Sequence, residues 1–293
     1  MNQAGQAVRI VSVQFRAEPA SAGAAFYDRL SYYIAAAADY EADFVVFPEL
    51  FTLQPLASTP GITADRLAAM LSQHTMQFVD RLSDLSRSHR INIVAGSHLT
   101  TTDLGIRNVC HVALRDGSIH RREKLHPTPG ERTVWRVTGG DAANVIETDC
   151  GPVGVMVCYD SEFPEIARHL VDQGALILIV PYCTDTAHGH WRVRHCCQAR
   201  AVENQCYVVT AGLAGHVENI PDMAGCFARS AILTPCDIPF DRDGVAAEAT
   251  ENADMMIVAD LDLAKLAAAR ADGSVRNRED RRPDLYSVIW KGR

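Results

Sequence analysis

The chain has 293 residues, 47% of them hydrophobic and 22% charged, with a formal net charge of −8. That is ordinary globular composition, in a chain long enough to bury a core without disulfides or metals. The acidic balance argues against a nucleic-acid surface, and no stretch approaches the roughly 20 apolar residues that a membrane-spanning helix needs. The N-terminus, "MNQAGQAVRIVSVQF", has no basic segment followed by an apolar one, so it does not read as a secretory signal. Nine cysteines in no framework spacing then read as reduced thiols of a cytoplasmic protein.

In chain order, "VRIVSVQF" (8–15) predicts a strand rich in β-branched residues. Residues 22–41 predict a helix, with Phe26, Leu30, Tyr33, Ile34 and Ala37 on one face. "DFVVFPE" (43–49) reads as a buried strand stopped by Pro48. A helical region follows over 63–89, then a strand at 91–97. Residues 108–124 read as a hairpin turning at Asp116-Gly117. Further strands are expected at 152–158, 175–181, 206–212, 225–233 and 254–261, and helices near 163–173, 189–204 and 262–271. Apolar strands alternating with helices imply an α/β protein whose sheets are covered by helices. The antiparallel hairpin points to a mixed sheet, or to two sheets packed together. With no repeat and no long linker, residues 1–293 read as one domain, its core at about 7–270.

Three strand ends carry candidate chemistry. Cys158 ends an apolar strand just before a helix that Asp160 or Ser161 could cap, with Pro164 in its first turn. Such a corner exposes the thiol and aims backbone N–H groups at whatever binds there. Asp160, Glu162 and Glu165 oppose a thiolate, so a reactive Cys158 needs a base or a cation from elsewhere; otherwise it is a small buried thiol. Glu49 is either a turn acid after Pro48 or a partly buried general base. Lys124 is either part of a solvated basic turn with Arg121 and Arg122 or a cation for a developing oxyanion. Glu131, beyond two prolines, is a second carboxylate for the same site or a partner for Arg132.

Other chemistries find little support. Phosphate and dinucleotide loops, a GxSxG elbow and a CxxC pair are all missing from the sequence. His188, His190 and His195 lie close in sequence, but 188 and 190 face different sides of a helix, so no metal is expected there.

Taken together, "FPEL" with Glu49, "REKLHPTPGER" with Lys124 and Glu131, and "GVMVCYDSEFPE" with Cys158 resemble, in that order, the Glu–Lys–Cys signature of the nitrilase or carbon–nitrogen hydrolase superfamily. The likeness extends through "QARAVENQCYVV" (198–209) and runs from about 7 to 290. "KLHPTPGER" is similar to the lysine loop of nitrilases, whereas "CYDSEFPE" is more like the cysteine loop of amidases. The C-terminal part resembles a branch sometimes fused to a GNAT-type acetyltransferase domain.

The resemblance implies an α-β-β-α sandwich of two mixed sheets, a homodimer or higher homo-oligomer, and no cofactor. It implies Cys158 as nucleophile, Glu49 as base, Lys124 as oxyanion stabiliser and Glu131 as an orienting group, acting through a thioester. The Tyr159 N–H is expected to complete the oxyanion hole. The tail, 271–293, is expected in oligomer contacts. Substrate-binding candidates are Arg132 and Trp135 after Glu131, and Tyr182, Cys183, Thr184, Asp185 and Arg192 after the 175–181 strand. Either arginine could hold a substrate carboxylate. The expected activity is cleavage of a small amide to carboxylate and ammonia. Nitrile hydrolysis, carbamoyl hydrolysis, a silent binding scaffold and a thiol redox protein are the competing readings.

Overall fold

Period-two alternation sorts the side chains of the first strand into two cores. Strand β1 (Ala7–Ala17) sends Val8 and Ile10 to one side and Val11, Val13 and Phe15 to the other. Strands β2 (Phe44–Phe47) and β3 (Asn92–Ala95) divide in the same way: Phe44, Val46 and Val94 join the first core, Val45, Phe47, Ile93 and Ala95 the second. The second core is completed by α1 (Gly23–Asp39), α2 (Ala64–Ser72) and α3 (Thr75–His89). Helix α1 buries the five residues its periodicity named, Phe26, Leu30, Tyr33, Ile34 and Ala37. This computed structural model describes residues 7–18, 23–223 and 225–292.

The remaining strands are β4 (His98–Thr102), β5 (Gly105–Ala113), β6 (Ile119–Glu123), β7 (Val153–Val155), β8 (Ile177–Cys183), β9 (Tyr207–Gly215), β10 (Ala231–Leu233), β11 (Val245–Glu248) and β12 (Met255–Asp262). In the first half of the fold β12, β1, β2, β3 and β5 pair in that order, with β4 and β6 also on β5. In the second half the order is β7, β8, β9, β10, β11. The halves are the two mixed sheets of the expected sandwich, and they are joined at one strand. Ile10–Ser12 pair with β2 while Phe15–Ala17 pair with β9, so β1 passes from one half to the other and makes a single 12-stranded sheet. Ser12 Oγ donates to Thr210 O across the interior at 2.8 Å.

Helices α5 (Pro164–Asp172) and α6 (Ala187–Asn204) connect β7 to β8 and β8 to β9, which are parallel. Parallel neighbours require such crossovers. Ile166, Leu170, Val193, Cys197 and Ala201 seat both helices in the first core. The chain thus runs as helices, sheet, sheet, helices. The short helix α4 (Pro129–Thr133) and the C-terminal helix α7 (Leu263–Asp272) complete the set. Among the described residues no helix is long and apolar enough to cross a membrane.

Local differences from expectation have physical causes. The helical region 63–89 is two helices, α2 against β4 and α3 against β3, β5 and α1, because one straight rod cannot follow both surfaces. The strand expected over 225–233 is regular only at Ala231–Leu233. Before that, backbone groups bond to side chains and loops instead of a ladder: Ala228 N donates to Asn252 Oδ1, Arg229 N to the Tyr182 hydroxyl and Ser230 N to Gln14 Oε1. The strand expected over 152–158 shrinks to Val153–Val155, since Cys158 already begins a 3₁₀ turn (Cys158–Glu162). Past α7, Arg281 pairs with Asp172 and Trp290 stacks on His169, while most residues of this tail are exposed.

Candidate active site

Strands β2, β7 and β8 share a direction through their parallel neighbours, so their C-terminal ends collect at one edge, the usual place for a site in an open sheet. Glu49 follows β2, Cys158 follows β7, and Cys183 ends β8. Lys124 follows β6, its backbone pinned by Lys124 N to Asn108 O at 2.8 Å and Gly140 N to Lys124 O at 3.0 Å. Gly96, just after β3, has φ +56° and lies so close to Pro48 that a Cβ there would strike the Pro48 carbonyl oxygen, which sets the path of the chain into Glu49.

Lys124 Nζ lies 2.9 Å from Glu49 Oε1 and 2.6 Å from Glu131 Oε2. Asn108 Nδ2 also donates to both, to Glu49 Oε1 at 3.0 Å and to Glu131 Oε1 at 2.9 Å. Glu131 is held by the capping box of α4: Glu131 N donates to Thr128 Oγ1, and Thr128 N donates to Glu131 Oε2 at 2.7 Å. It therefore faces Lys124 and not Arg132. Cys183 N donates to Glu49 Oε2 at 2.9 Å, and the Cys158 thiol lies 3.5 Å from Cys183 O. Glu49, Lys124, Glu131 and Cys158 are each no more than 5% exposed.

Burial sets the protonation of this group. It pushes the Glu49 carboxyl above the ordinary carboxylate range, and the Lys124 charge only partly offsets it. It pushes the Cys158 thiol well up, and the neighbouring Glu49 charge adds to this. Burial alone would neutralise Lys124, yet two carboxylates in contact hold it well above its ordinary value. Glu131 is likewise opposed by burial, but Lys124 and its hydrogen bonds bring it below the ordinary range. The resting site is a neutral thiol beside an ammonium held by carboxylates.

Cys158 has φ 51°, a left-handed conformation rare for a side chain with a Cβ. The strain is held by the loop around it. Asp160, buried, accepts from Val157 N at 3.1 Å, Leu125 N at 3.2 Å and His126 N at 2.8 Å, so one carboxylate ties the cysteine loop to the lysine loop. Asp160 is thus not the helix cap expected of it: α5 begins after Phe163, with Pro164 first. Tyr159 follows Cys158 in the opening turn, where backbone N–H groups have no intrahelical acceptor.

These side chains open into a cavity of about 490 Å³. Among the expected pocket residues, Trp135, Cys183, Thr184, Asp185 and Arg192 line it, as does Tyr159. Two do not. Arg132 is exposed and donates to Pro127 O at 3.0 Å, because the α4 turn that aims Glu131 inward aims its neighbour outward. Tyr182 points to the opposite side of β8 from its neighbours and is fully buried, its hydroxyl beside His190 Nδ1 at 3.2 Å. Sequence reading missed Asn108, and also Glu162 and the wall formed by Asp222, Met223 and Gly225. A polar amide inside the apolar run "NVCHVA" was the available signal for Asn108. The loop at 222–225 offers no comparable signal. Of the three clustered histidines, His190 is buried and pushed down to about 4 by burial, while His188 and His195 are exposed.

Comparison with known proteins places this geometry. The chain is 38% identical over 284 residues to a probable hydrolase, YhcX, of Bacillus subtilis; the match takes in 97% of this chain and about half, 55%, of that protein's length. It is 32% identical over 223 residues to the omega-amidase NIT2 of Xenopus tropicalis, covering 72% of this chain and 75% of that one. Its fold is similar to the crystal structure of a carbon-nitrogen hydrolase from Helicobacter pylori G27, with a TM-score of 0.79 at 20% identity over 96% of this chain and 97% of that one. The carbon-nitrogen hydrolase family model matches residues 9–271. On that match, which runs from β1 into α7 and spans all four converging residues, the chain belongs to the carbon–nitrogen hydrolase family.

Proposed function

We propose that the protein is a cysteine-dependent amidohydrolase that cleaves a small amide to a carboxylate and ammonia. The observation that carries this reading is the buried contact of Lys124 with Glu49 and Glu131, next to the Cys158 thiol, at the floor of one cavity. Burial and the Glu49 charge hold the Cys158 thiol well above its ordinary value, which favours proton transfer during attack over a preformed thiolate. Glu49 takes the thiol proton as sulfur attacks the amide carbon, and charge moves to the carbonyl oxygen. Lys124 and the Tyr159 N–H stabilise that oxyanion. Glu49 then returns the proton to the nitrogen, the C–N bond breaks, ammonia leaves and a thioester remains. Water, deprotonated by Glu49, attacks the thioester; the carboxylic acid leaves and the thiol is restored. Glu131 keeps Lys124 charged and in place. Arg192 at the cavity mouth, 3.5 Å from Glu162, is the group that would meet a substrate carboxylate.

The test is ammonia release from a panel of ω-amides of small acids, neutral aliphatic amides, nitriles and carbamoyl compounds, with Cys158→Ala as the blank. Amide turnover in the wild type and none in the blank is expected. Turnover retained in Cys158→Ala sinks the scheme. Turnover of nitriles alone would transfer the reading to the nitrilase chemistry that "KLHPTPGER" resembles, and carbon dioxide release would mark a carbamoyl substrate. Equal rates for acidic and neutral amides would remove the role of Arg192.

A further inference from the structure

The two carboxylates of the site are bridged twice. Lys124 Nζ bonds both, and Asn108 Nδ2 also bonds both through its two N–H groups, at 3.0 and 2.9 Å. The amide orientation is dictated chemically, because its oxygen would be repelled by both carboxylates, whereas two N–H donors match two acceptors. Asn108 Oδ1 is buried and has no hydrogen-bond partner among the described residues. An unpaired buried acceptor is costly, so this side chain is oriented by its donors alone. Asn108 is itself fully buried in β5, and its backbone carbonyl accepts from Lys124 N. One residue thus bonds both carboxylates and the backbone of Lys124.

The bonds made by Glu49 single out one of its oxygens. Oε1 accepts from both Lys124 and Asn108. Oε2 accepts from Cys183 N, on the segment whose carbonyl lies beside the Cys158 thiol. Resting on the amidohydrolase reading, we propose that Asn108 is a positioning residue: its amide holds Glu49 and Glu131 in place and ionised and leaves Glu49 Oε2 as the oxygen that receives the thiol proton. The physical basis is that a donor bonded to the charged form of an acid favours that form. The amide adds a hydrogen bond to each carboxylate beyond those from Lys124, and it brings no net charge of its own.

The experiment is an infrared titration of the Glu49 carboxyl, its band identified by loss in Glu49→Gln, in the wild type, Asn108→Leu and Asn108→Ser. Removing a hydrogen bond to a charged group should raise the midpoint by about one pH unit in Asn108→Leu, a roughly tenfold change in the protonation equilibrium. Asn108→Ser, which keeps one donor and is the variant to use if the leucine does not fold, should move it less in the same direction. The acid limb of ammonia release should move with the infrared midpoint. A midpoint unmoved in a folded variant overturns the proposal, even if that variant is less stable. If the midpoint moves but the wild type releases no ammonia from any compound of the panel, the functional reading fails and the positioning role of Asn108 stands.

Discussion

Cys158 and Lys124 are both buried, but their removal has different physical consequences. A non-glycine residue at φ 51° carries strain of order 1–3 kcal/mol, and alanine at 158 retains both the strain and the packing. Cys158→Ala should therefore keep close to wild-type stability while losing turnover. Lys124→Ala leaves Glu49 and Glu131 as buried like charges without their cation. Breaking a buried ion pair on one side typically costs about 3–5 kcal/mol, and loss of an oxyanion donor costs about 10²–10³ in rate. Urea unfolding combined with ammonia release separates the two variants. Equal unfolding midpoints would show that the carboxylates do not depend on Lys124.

At the scale of elements, the site is held where loops meet. The 3₁₀ turn Cys158–Glu162 and the loop after β6 share no ladder, yet Asp160 of that turn accepts from Val157 N just before it and from Leu125 N and His126 N of the loop. His126 Nδ1 adds a contact to Asp160 at 3.0 Å, and its ring stacks on Phe163 at 3.8 Å. Asp160→Asn keeps the shape but turns one acceptor into a donor facing N–H groups. Hydrogen bonds to a charged group contribute roughly 1.5–3 kcal/mol, and a loss of that size is expected by urea unfolding. Turnover should fall as well, because Cys158 and Lys124 are no longer tied to each other. Wild-type kcat in this variant would mean that the loops keep their spacing without the clamp.

Over the whole molecule, acid should weaken the fold through a pair of inward-facing histidines. His98 and His111 lie at the second core, where their rings touch each other and both touch Phe78 of α3. Burial pushes His98 down to about 4 and His111 to about 3. The unfolded chain binds protons at these residues near pH 6.5, while the folded chain does not until the lower values are reached. Their contribution is complete above about pH 6.5 and is lost as pH falls, at about 1.4 kcal/mol per pH unit for each histidine. Both ring nitrogens of His111 are without a partner among the described residues, so phenylalanine should replace it well. Urea unfolding at two pH values should show His111→Phe losing less stability than the wild type between pH 7 and pH 5. An identical loss would remove His111 as a source of acid sensitivity.

The sequence by itself determined the elements and the chemistry at their ends. Alternation in β1, β2 and β3 and the face of α1 are local consequences of backbone geometry, so Ile10 or Leu30 can be assigned to a core without knowing the partner. Glu49, Lys124 and Cys158 were legible because each follows a recognisable strand in an ordered set of motifs. Glu131 was legible as a carboxylate, but its choice of Lys124 over Arg132 depended on the capping turn of α4. Only the tertiary structure decided contacts between segments far apart in the chain. Asn108 becomes a bridge because β5 pairs with β6 and lies one strand, β3, away from β2, and Asp160 becomes a clamp because two loops meet. Tyr182 falls outside the cavity because the pleat of β8 turns it away. The passage of β1 from one half of the sheet to the other is of the same kind. Pairing partners and side-chain direction at a strand end depend on what lies across the gap, and that is set by the packing of the whole chain.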